Sequence, residues 1–364
     1  MAQKRLRGSK EDSPAHGEAF TDAGAEDSLV RYEASHAAMG TVFSIAAYGS
    51  NSERLQGSLA RSFQEIDRLD NLMSHYKPQS ELSTINREAS HRTVVVPPEL
   101  LRLLEDSLRF SEQTCGAFDI TVGPLMKSWG FFRGWVRLPE PRELEQAMRR
   151  TGYRHVKLDA ATHTVRFDEP GVELDLGAIG KGYAVDRVVE ILRADGVSRA
   201  LVSGGTSSIY AIGAPPGEHG WEISVCDPFD RRKQACSLRL QNMSISISGS
   251  QEKSFVLDGK LYTHLLDPRN GRPVEDMLMT VVIAASNAAG DALSTAFFVS
   301  GVKQTQAYIE NHPNLTAIFY MPMGSSPEQS HEWLDAMATS DPWASPALTN
   351  FCISGAKGLI SVRL

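Results

Sequence analysis

Asp175, Lys181, His264, Asp291 and Thr295 are the residues of this 364-residue chain whose types and spacing point to chemistry. The first two sit within Glu173-Leu-Asp-Leu-Gly-Ala-Ile-Gly-Lys-Gly-Tyr-Ala-Val-Asp186, where a buried-looking strand is expected to run into a helix. Glycines at 177, 180 and 182 remove Cβ atoms where a phosphate chain would approach the backbone, and the free amides of a new helix would face that charge. The order G-x-x-G-x-G is not the dinucleotide fingerprint, and Gly180-Lys181-Gly182 lacks the Ser or Thr of a P-loop. The same glycines would also serve a plain strand-to-helix corner that needs small residues for close packing.

Asp291-Ala-Leu-Ser-Thr295 falls at the expected start of an apolar helix, where four-residue spacing puts the carboxylate and the hydroxyl on one face. Two hard oxygen ligands suit magnesium, which takes one or two protein carboxylates, neutral oxygens and substrate phosphates. A helix-capping Asp with Thr295 bonding back to a carbonyl fits the same letters. His264 ends a strand before a turn set by Pro268 and Gly271, and its titration range suits proton transfer, although histidines beside turns are commonly structural. Ser203-Gly-Gly-Thr206 offers unshielded backbone amides for a phosphate or ring edge, or is simply a Gly-Gly turn. Gly116-Ala-Phe-Asp119 and Ser74-His-Tyr76 supply an aromatic, an acid and a small-residue gap that would hold a planar ring or fill core and turn.

Around these residues the pattern predicts a strand over Met39–Tyr48, amphipathic helices at about 52–73 and 98–113, and a hairpin at about 155–168. A middle helix at about 178–194 is expected to stop at Asp195-Gly196. Strands follow at about 199–203, 207–213, 221–226, 236–240 and 243–247, then a hairpin at 253–265 turning on Asp258-Gly259. A last helix over Ala289–Ser300 precedes strands at 315–320 and 358–363. Between 113 and the middle helix, short strands and turns are expected to dominate. Runs of adjacent strands separated from a few helices indicate an α+β fold. Residues 1–30 are read as disordered and 322–349 as a surface insertion.

Hydrophobic residues at 41 % and charged ones at 22 % are those of a globular chain, and a formal charge of −7 argues against a nucleic-acid partner. Cysteines at 115, 226, 236 and 352 show neither C-x-x-C pairing nor metal spacing and read as ordinary thiols. The basic start, Met-Ala-Gln-Lys-Arg-Leu-Arg, leads into polar residues without an apolar export core or lipobox cysteine, and no stretch is long and apolar enough for a transmembrane helix. As written, the chain is expected to be cytoplasmic, or periplasmic and membrane-associated if its true start differs.

Taken in order, Met39-Gly-Thr41, Glu81-Leu-Ser-Thr-Ile-Asn86, Gly116-Ala-Phe-Asp119, Asp175-Leu-Gly-Ala-Ile-Gly-Lys-Gly-Tyr183, the Gly-Gly turn at 204, His264-Leu-Leu-Asp-Pro268 and Asp291-x-x-x-Thr295 resemble the ApbE family. These are FAD:protein FMN transferases, and the resemblance covers roughly residues 35–320. It implies an α+β fold of mixed or antiparallel sheets with packed helices, spanning 31–364 as one domain, with an FAD cleft between two lobes. It further implies FAD as substrate and Mg2+ at the pyrophosphate. FMN would pass to a threonine hydroxyl on a target flavoprotein of electron-transfer type, with release of AMP. By position, Met39, Tyr76, Ala117, Phe118, Asp119, Asp175, Lys181 and Leu265 would contact FAD, while Ala178, through its carbonyl, would join Asp291 and Thr295 on the metal. Lys181 would add positive charge toward the leaving AMP phosphate, and His264 would take the proton of the incoming threonine.

Departures from the family pattern are Ser294, where some members carry a second acid, Thr206, where an acid or amide is common, and the missing export signal. Two further functions fit the same residues: a hydrolase splitting FAD into FMN and AMP with water as acceptor, and a flavin-binding protein without turnover.

Overall fold

The computed structural model describes residues 18–21, 29–132, 136–250, 254–257, 260–322, 348–354 and 361–363. Nine strands cross the central sheet in chain order: Glu18–Thr21, Val30–Ala38, Thr41–Gly49, Arg199–Gly204, Ser208–Ile212, Met243–Gly249, Met279–Ala284, Thr316–Pro322 and Leu348–Ser354. Every pairing in it is antiparallel, so each strand needs only a turn or an excursion that returns to the same edge. The first tight turn is Met39-Gly40, with both residues at positive φ (50° and 72°), as a two-residue hairpin connection requires.

Among the described residues the helices are α1 (Ser52–Met73), α2 (Glu81–Glu88), α3 (Pro98–Gln113), α4 (Gly123–Ser128), α5 (Pro141–Arg149), α6 (Gly180–Ala194) and α7 (Asn287–Glu310). Helices α1, α6 and α7 lie on one face of the sheet, burying Leu59, Ile66, Val185, Val188, Ala292 and Phe297 against Phe43, Ile45 and Val202. The opposite face is covered by a small sheet in the order Ser361–Arg363, Gln234–Leu240, Trp221–Cys226, whose Ile223, Val225 and Leu238 pack on Ile245, Val281 and Ile318. A third cluster joins α4 and α5 to the hairpin Ser254–Leu257 and Lys260–Thr263 through Leu125, Trp129, Phe131, Phe255 and Tyr262. No helix among the described residues is long and apolar enough to cross a membrane.

The fold is α+β as expected, and α1 and α3 have the expected bounds. Several expectations need correction. Residues 172–176 are extended but join no sheet. Asn86 of α2 stands in for a strand partner, accepting from Leu174 N–H at 2.7 Å and donating to Leu174 O at 2.9 Å, while Asp175 N–H bonds Ile120 O at 2.7 Å. The region after α3 holds α4 and α5 as well as the expected hairpin, Val156–Asp159 with Thr164–Phe167. Helix α7 starts at Asn287, capped by Ser286, and continues past Ser300 through a break at Gly301 (φ 72°), which is where the expected helix ended. Residues 18–21 pair as an edge strand, whereas the rest of the segment read as disordered lies outside the described residues up to 28. The strand at Leu348–Ser354 takes the end of the expected insertion, and 323–347 lie outside the described residues. The turn residues 258 and 259 also lie outside them.

Candidate functional site at the α6–α7 junction

Helices α6 and α7 pack against each other along their first turns, and a glycine sets how closely. A Cβ on Gly182 would overlap the carbonyl oxygen of Asn287 and lie 2.8 Å from Ala288 N, both backbone atoms of the first turn of α7. One of the three glycines in the 173–186 run is therefore required for packing, whereas Gly180 has nothing nearer than 3.8 Å. The contact is locked by Asp186, one turn further along α6. Its carboxylate accepts from Asn287 N–H (2.8 Å), Ala288 N–H (2.9 Å) and Ser286 Oγ–H (2.8 Å), which satisfies donors of the α7 N-terminus. Burial pushes the Asp186 carboxyl up from its usual range, against these hydrogen bonds. Asp186→Ala would leave all three donors without their acceptor; we expect a loss of on the order of 2 kcal/mol in urea unfolding. An unchanged midpoint would contradict the clamp.

That clamp brings Asp291 to the start of α6. Asp291 lies in the second turn of α7 and is no cap; its carboxylate is buried, accepting from Gly182 N–H (2.7 Å, Oδ2) and from Ser208 Oγ–H (2.8 Å to Oδ1, 3.0 Å to Oδ2). Lys181 supplies the nearby positive charge. Burial pushes the Asp291 carboxyl up to about 6, with Lys181 and the hydrogen bonds from Ser208, Ser246 and Gly182 pulling it down. Thr295, one turn on, is half-buried with its Oγ1 3.2 Å from Ser248 Oγ. Ser294 is buried, and its hydroxyl lies 2.8 Å from Ser248 Oγ and 3.0 Å from Asp291 O. It is thus turned to the sheet, and its place in the departure from the family pattern is structural.

The raised carboxyl has a defined sign. Asp291 holds its proton more strongly folded (about 6) than unfolded (3.8), so metal-free wild type should lose stability relative to Asp291→Asn as pH rises from about 4 to about 6. Melting temperatures of both proteins across that window check it, and a pH-independent difference would contradict it.

A second group of expected residues forms an aromatic wall around Asp175. The Asp175 Oδ1 accepts from Gly177 N–H at 2.8 Å and lies 3.6 Å from His75 Nδ1. The His75 ring packs on Tyr76 (centroids 3.7 Å) and Phe132 (4.4 Å), and Tyr76 is exposed. His264 is half-buried, edge-on to Phe131 at 6.4 Å, next to buried Leu265. Met39 is half-buried at its hairpin turn, which Gly205 joins through an N–H bond to Val42 O at 3.0 Å. Ala178 is half-buried in the turn before α6.

Ala117, Phe118 and Asp119 are placed differently. All three are buried, and Asp119 accepts from Thr121 N–H (2.8 Å), Thr121 Oγ–H (2.6 Å) and Tyr153 N–H (2.7 Å), with its carboxyl pushed up by burial. These side chains are committed to the interior. A cleft of about 690 Å³, lined by Lys127, Phe132, Glu143, Arg150 and Glu173 among others, adjoins the aromatic wall and contains neither Asp291 nor Thr295. Among the described residues, a buried carboxylate, a helix start and a lysine converge at Asp291. Residues missed in the sequence are Asp186, Ser208, Ser248 and Phe132; for Ser248 the alternation Met-Ser-Ile-Ser-Ile-Ser-Gly249 was the available signal, since it puts its serines on one face.

A helix-start amide, a lysine, and an acid one turn from a hydroxyl thus meet at the α6–α7 junction. The ApbE family model matches residues 39–319, and the chain belongs to that family. It is 31% identical over 307 residues to the FAD:protein FMN transferase of Treponema pallidum, covering 80% of this chain and 84% of that one. It is 32% identical over 278 residues to that of Salmonella typhimurium, covering 74% and 79%. Among solved structures, the ApbE protein of Thermotoga maritima superposes with a TM-score of 0.73 at 31% identity, covering 79% of this chain and 94% of that one. Flavin transferase ApbE of Vibrio cholerae gives 0.72 at 25% identity, covering 94% and 98%.

Proposed function

We infer that the protein is a FAD:protein FMN transferase, moving FMN from FAD to a hydroxyl on a target flavoprotein and releasing AMP. The observation that carries the site assignment is the buried Asp291 carboxylate held against Gly182 N–H beside Lys181. We further propose a threonine acceptor on an electron-transfer subunit, Mg2+ dependence, and an FAD cleft running from the α6–α7 junction to the aromatic wall of His75, Tyr76 and Phe132.

The donor set fits a magnesium ion. Among the described residues no group of three or more His, Cys, Asp or Glu could hold a metal, so a cation here would meet one carboxylate and neutral oxygens. Asp291, the Thr295 hydroxyl and the Ala178 carbonyl would hold it. The Thr280 hydroxyl, on the strand paired with Ser248, is buried with no hydrogen-bond partner, so this oxygen cluster has spare capacity. When bound, the ion supplies charge neutralisation at the pyrophosphate of FAD.

The chain's own groups do the rest. Lys181 stabilises negative charge on the phosphate that leaves with AMP. In the transfer, a bond forms between the acceptor oxygen and the FMN phosphorus, and the bond from that phosphorus to the bridging oxygen breaks. The bridging oxygen leaves with AMP. The acceptor proton passes to an imidazole nitrogen of His264. The side chains of Tyr76 and Phe132 offer faces for the flavin ring.

Incubation with FAD and Mg2+, with and without a threonine-bearing acceptor, tests the reading by following AMP and covalently retained flavin. Covalent flavin requiring both acceptor and cation is expected. AMP and free FMN in equal amounts without acceptor would make the protein a pyrophosphatase, and neither product would leave a flavin-binding protein.

A further inference from the structure

We propose that Ser208 and Ser248, on adjacent strands of the central sheet, are positioning residues that aim the expected cation ligands of α7, Asp291 and Thr295. The proposal deepens the reading above and rests on it. Ser208 is fully buried and its hydroxyl spans both oxygens of Asp291, at 2.8 and 3.0 Å, while Gly182 N–H holds Oδ2 from the other side at 2.7 Å. The carboxylate is thus held from α6 on one hand and from the sheet on the other, where Ser246 adds a further hydrogen bond. Ser248, also buried, performs the same service for Thr295, at 3.2 Å, and ties it to Ser294 at 2.8 Å.

The sheet register makes this one device. Ser246 pairs with Ser208, and Ser248 pairs with Thr280, so these hydroxyls all stand on the helix-facing side. The other face of the same strand carries Ile245 and Ile247. A buried hydroxyl costs stability unless it is bonded, and a β-branched apolar residue would suit a strand interior better. Serines at 208 and 248 are explained by their partners on α7. Gly290 lets the helix settle on them, since a Cβ there would fall 2.6 Å from Ser246 Oγ.

Ser244 provides the comparison a purely structural role would fail. It is buried on the same strand and face, but its hydroxyl bonds Ala284 O at 2.8 Å and touches neither ligand. The experiment titrates Mn2+ into full-length, metal-stripped protein saturated with FAD, reading free Mn2+ by electron paramagnetic resonance, with thermal melts of every variant. Ser208→Ala and Ser248→Ala should each raise the Mn2+ Kd about tenfold, as loss of a group supporting a metal ligand typically does, and excess Mn2+ should restore kcat. Ser244→Ala should melt as low as these variants yet keep the wild-type Kd. Equal weakening in all three, or wild-type Kd in Ser208→Ala and Ser248→Ala while Asp291→Ala has lost Mn2+, would overturn the proposal and leave the cation site standing. Wild-type Mn2+ binding by Asp291→Ala would instead remove the cation site itself.

Discussion

Asp291→Ala is expected to lower FMN transfer about 1000-fold, roughly 4 kcal/mol in the barrier, while FAD binding weakens only a few-fold. The carboxylate is the sole acidic side chain at the α6–α7 junction that pairs with the α6 amides among the described residues, so no neighbouring acid replaces it. The flavin end of FAD would still meet the wall of His75, Tyr76 and Phe132, which lies on other elements and does not depend on Asp291. Loss of the acceptor also strands Gly182 N–H and the Ser208 hydroxyl, so stability must be measured alongside. Asp291→Asn removes the charge while keeping shape and one acceptor, and it should be as inactive as the alanine variant. Full turnover in a folded Asp291→Asn protein, followed by AMP release, would remove Asp291 from the chemistry.

Gly182→Ala should damage stability and transfer together. Its Cβ would overlap Asn287 O and crowd Ala288 N, which are backbone atoms that no rotamer change can move. Helices α6 and α7 would have to separate, breaking the Asp186 clamp and the Gly182–Asp291 bond together. We expect about 1–3 kcal/mol of lost stability and loss of transfer beyond what that destabilisation explains. Gly180→Ala is the informative partner, since its Cβ meets nothing nearer than Met73 Cε at 3.8 Å and Leu176 Cβ at 3.9 Å and should leave stability unchanged or slightly raised. Any loss of FAD affinity in Gly180→Ala would then report a phosphate approaching that position. Equal stability of the two variants by urea unfolding would contradict the packing account of Gly182.

Much of this site is legible in the sequence, for identifiable reasons. Helices α1 and α3 carry strong apolar periodicity and clear starts, Asn51 and Pro98, so their bounds follow from local pattern. The strand Met279–Ala284 escaped because it is buried on both faces, with Met279, Val281 and Ile283 toward the small sheet and Val282 and Ala284 toward the helices, leaving no alternation to see. The segment before Gly177 reads as a strand because Val172, Leu174 and Leu176 alternate into the core; whether a partner strand exists is a long-range matter, and here Asn86 fills that place. Asp175, Lys181, Asp291 and Thr295 were visible as types at a spacing. Local pattern alone did not join Lys181 to Asp291, and only the family resemblance did, because their contact depends on Gly182 and Asp186 bringing two helices together from distant parts of the chain. The serines of the sheet were hidden for the same reason, since a buried hydroxyl declares its purpose only through its partner.

Diffraction from crystals grown with FAD and Mn2+, measured at the manganese absorption edge, tests the assignment of the reacting centre most directly. A single anomalous peak within bonding distance of the Asp291 carboxylate and the Thr295 hydroxyl, with the FAD pyrophosphate against the start of α6, is the expected result. Manganese bound instead at the cleft beside Glu173, with FAD ordered and Asp291 still bonded only to its protein donors, would contradict it.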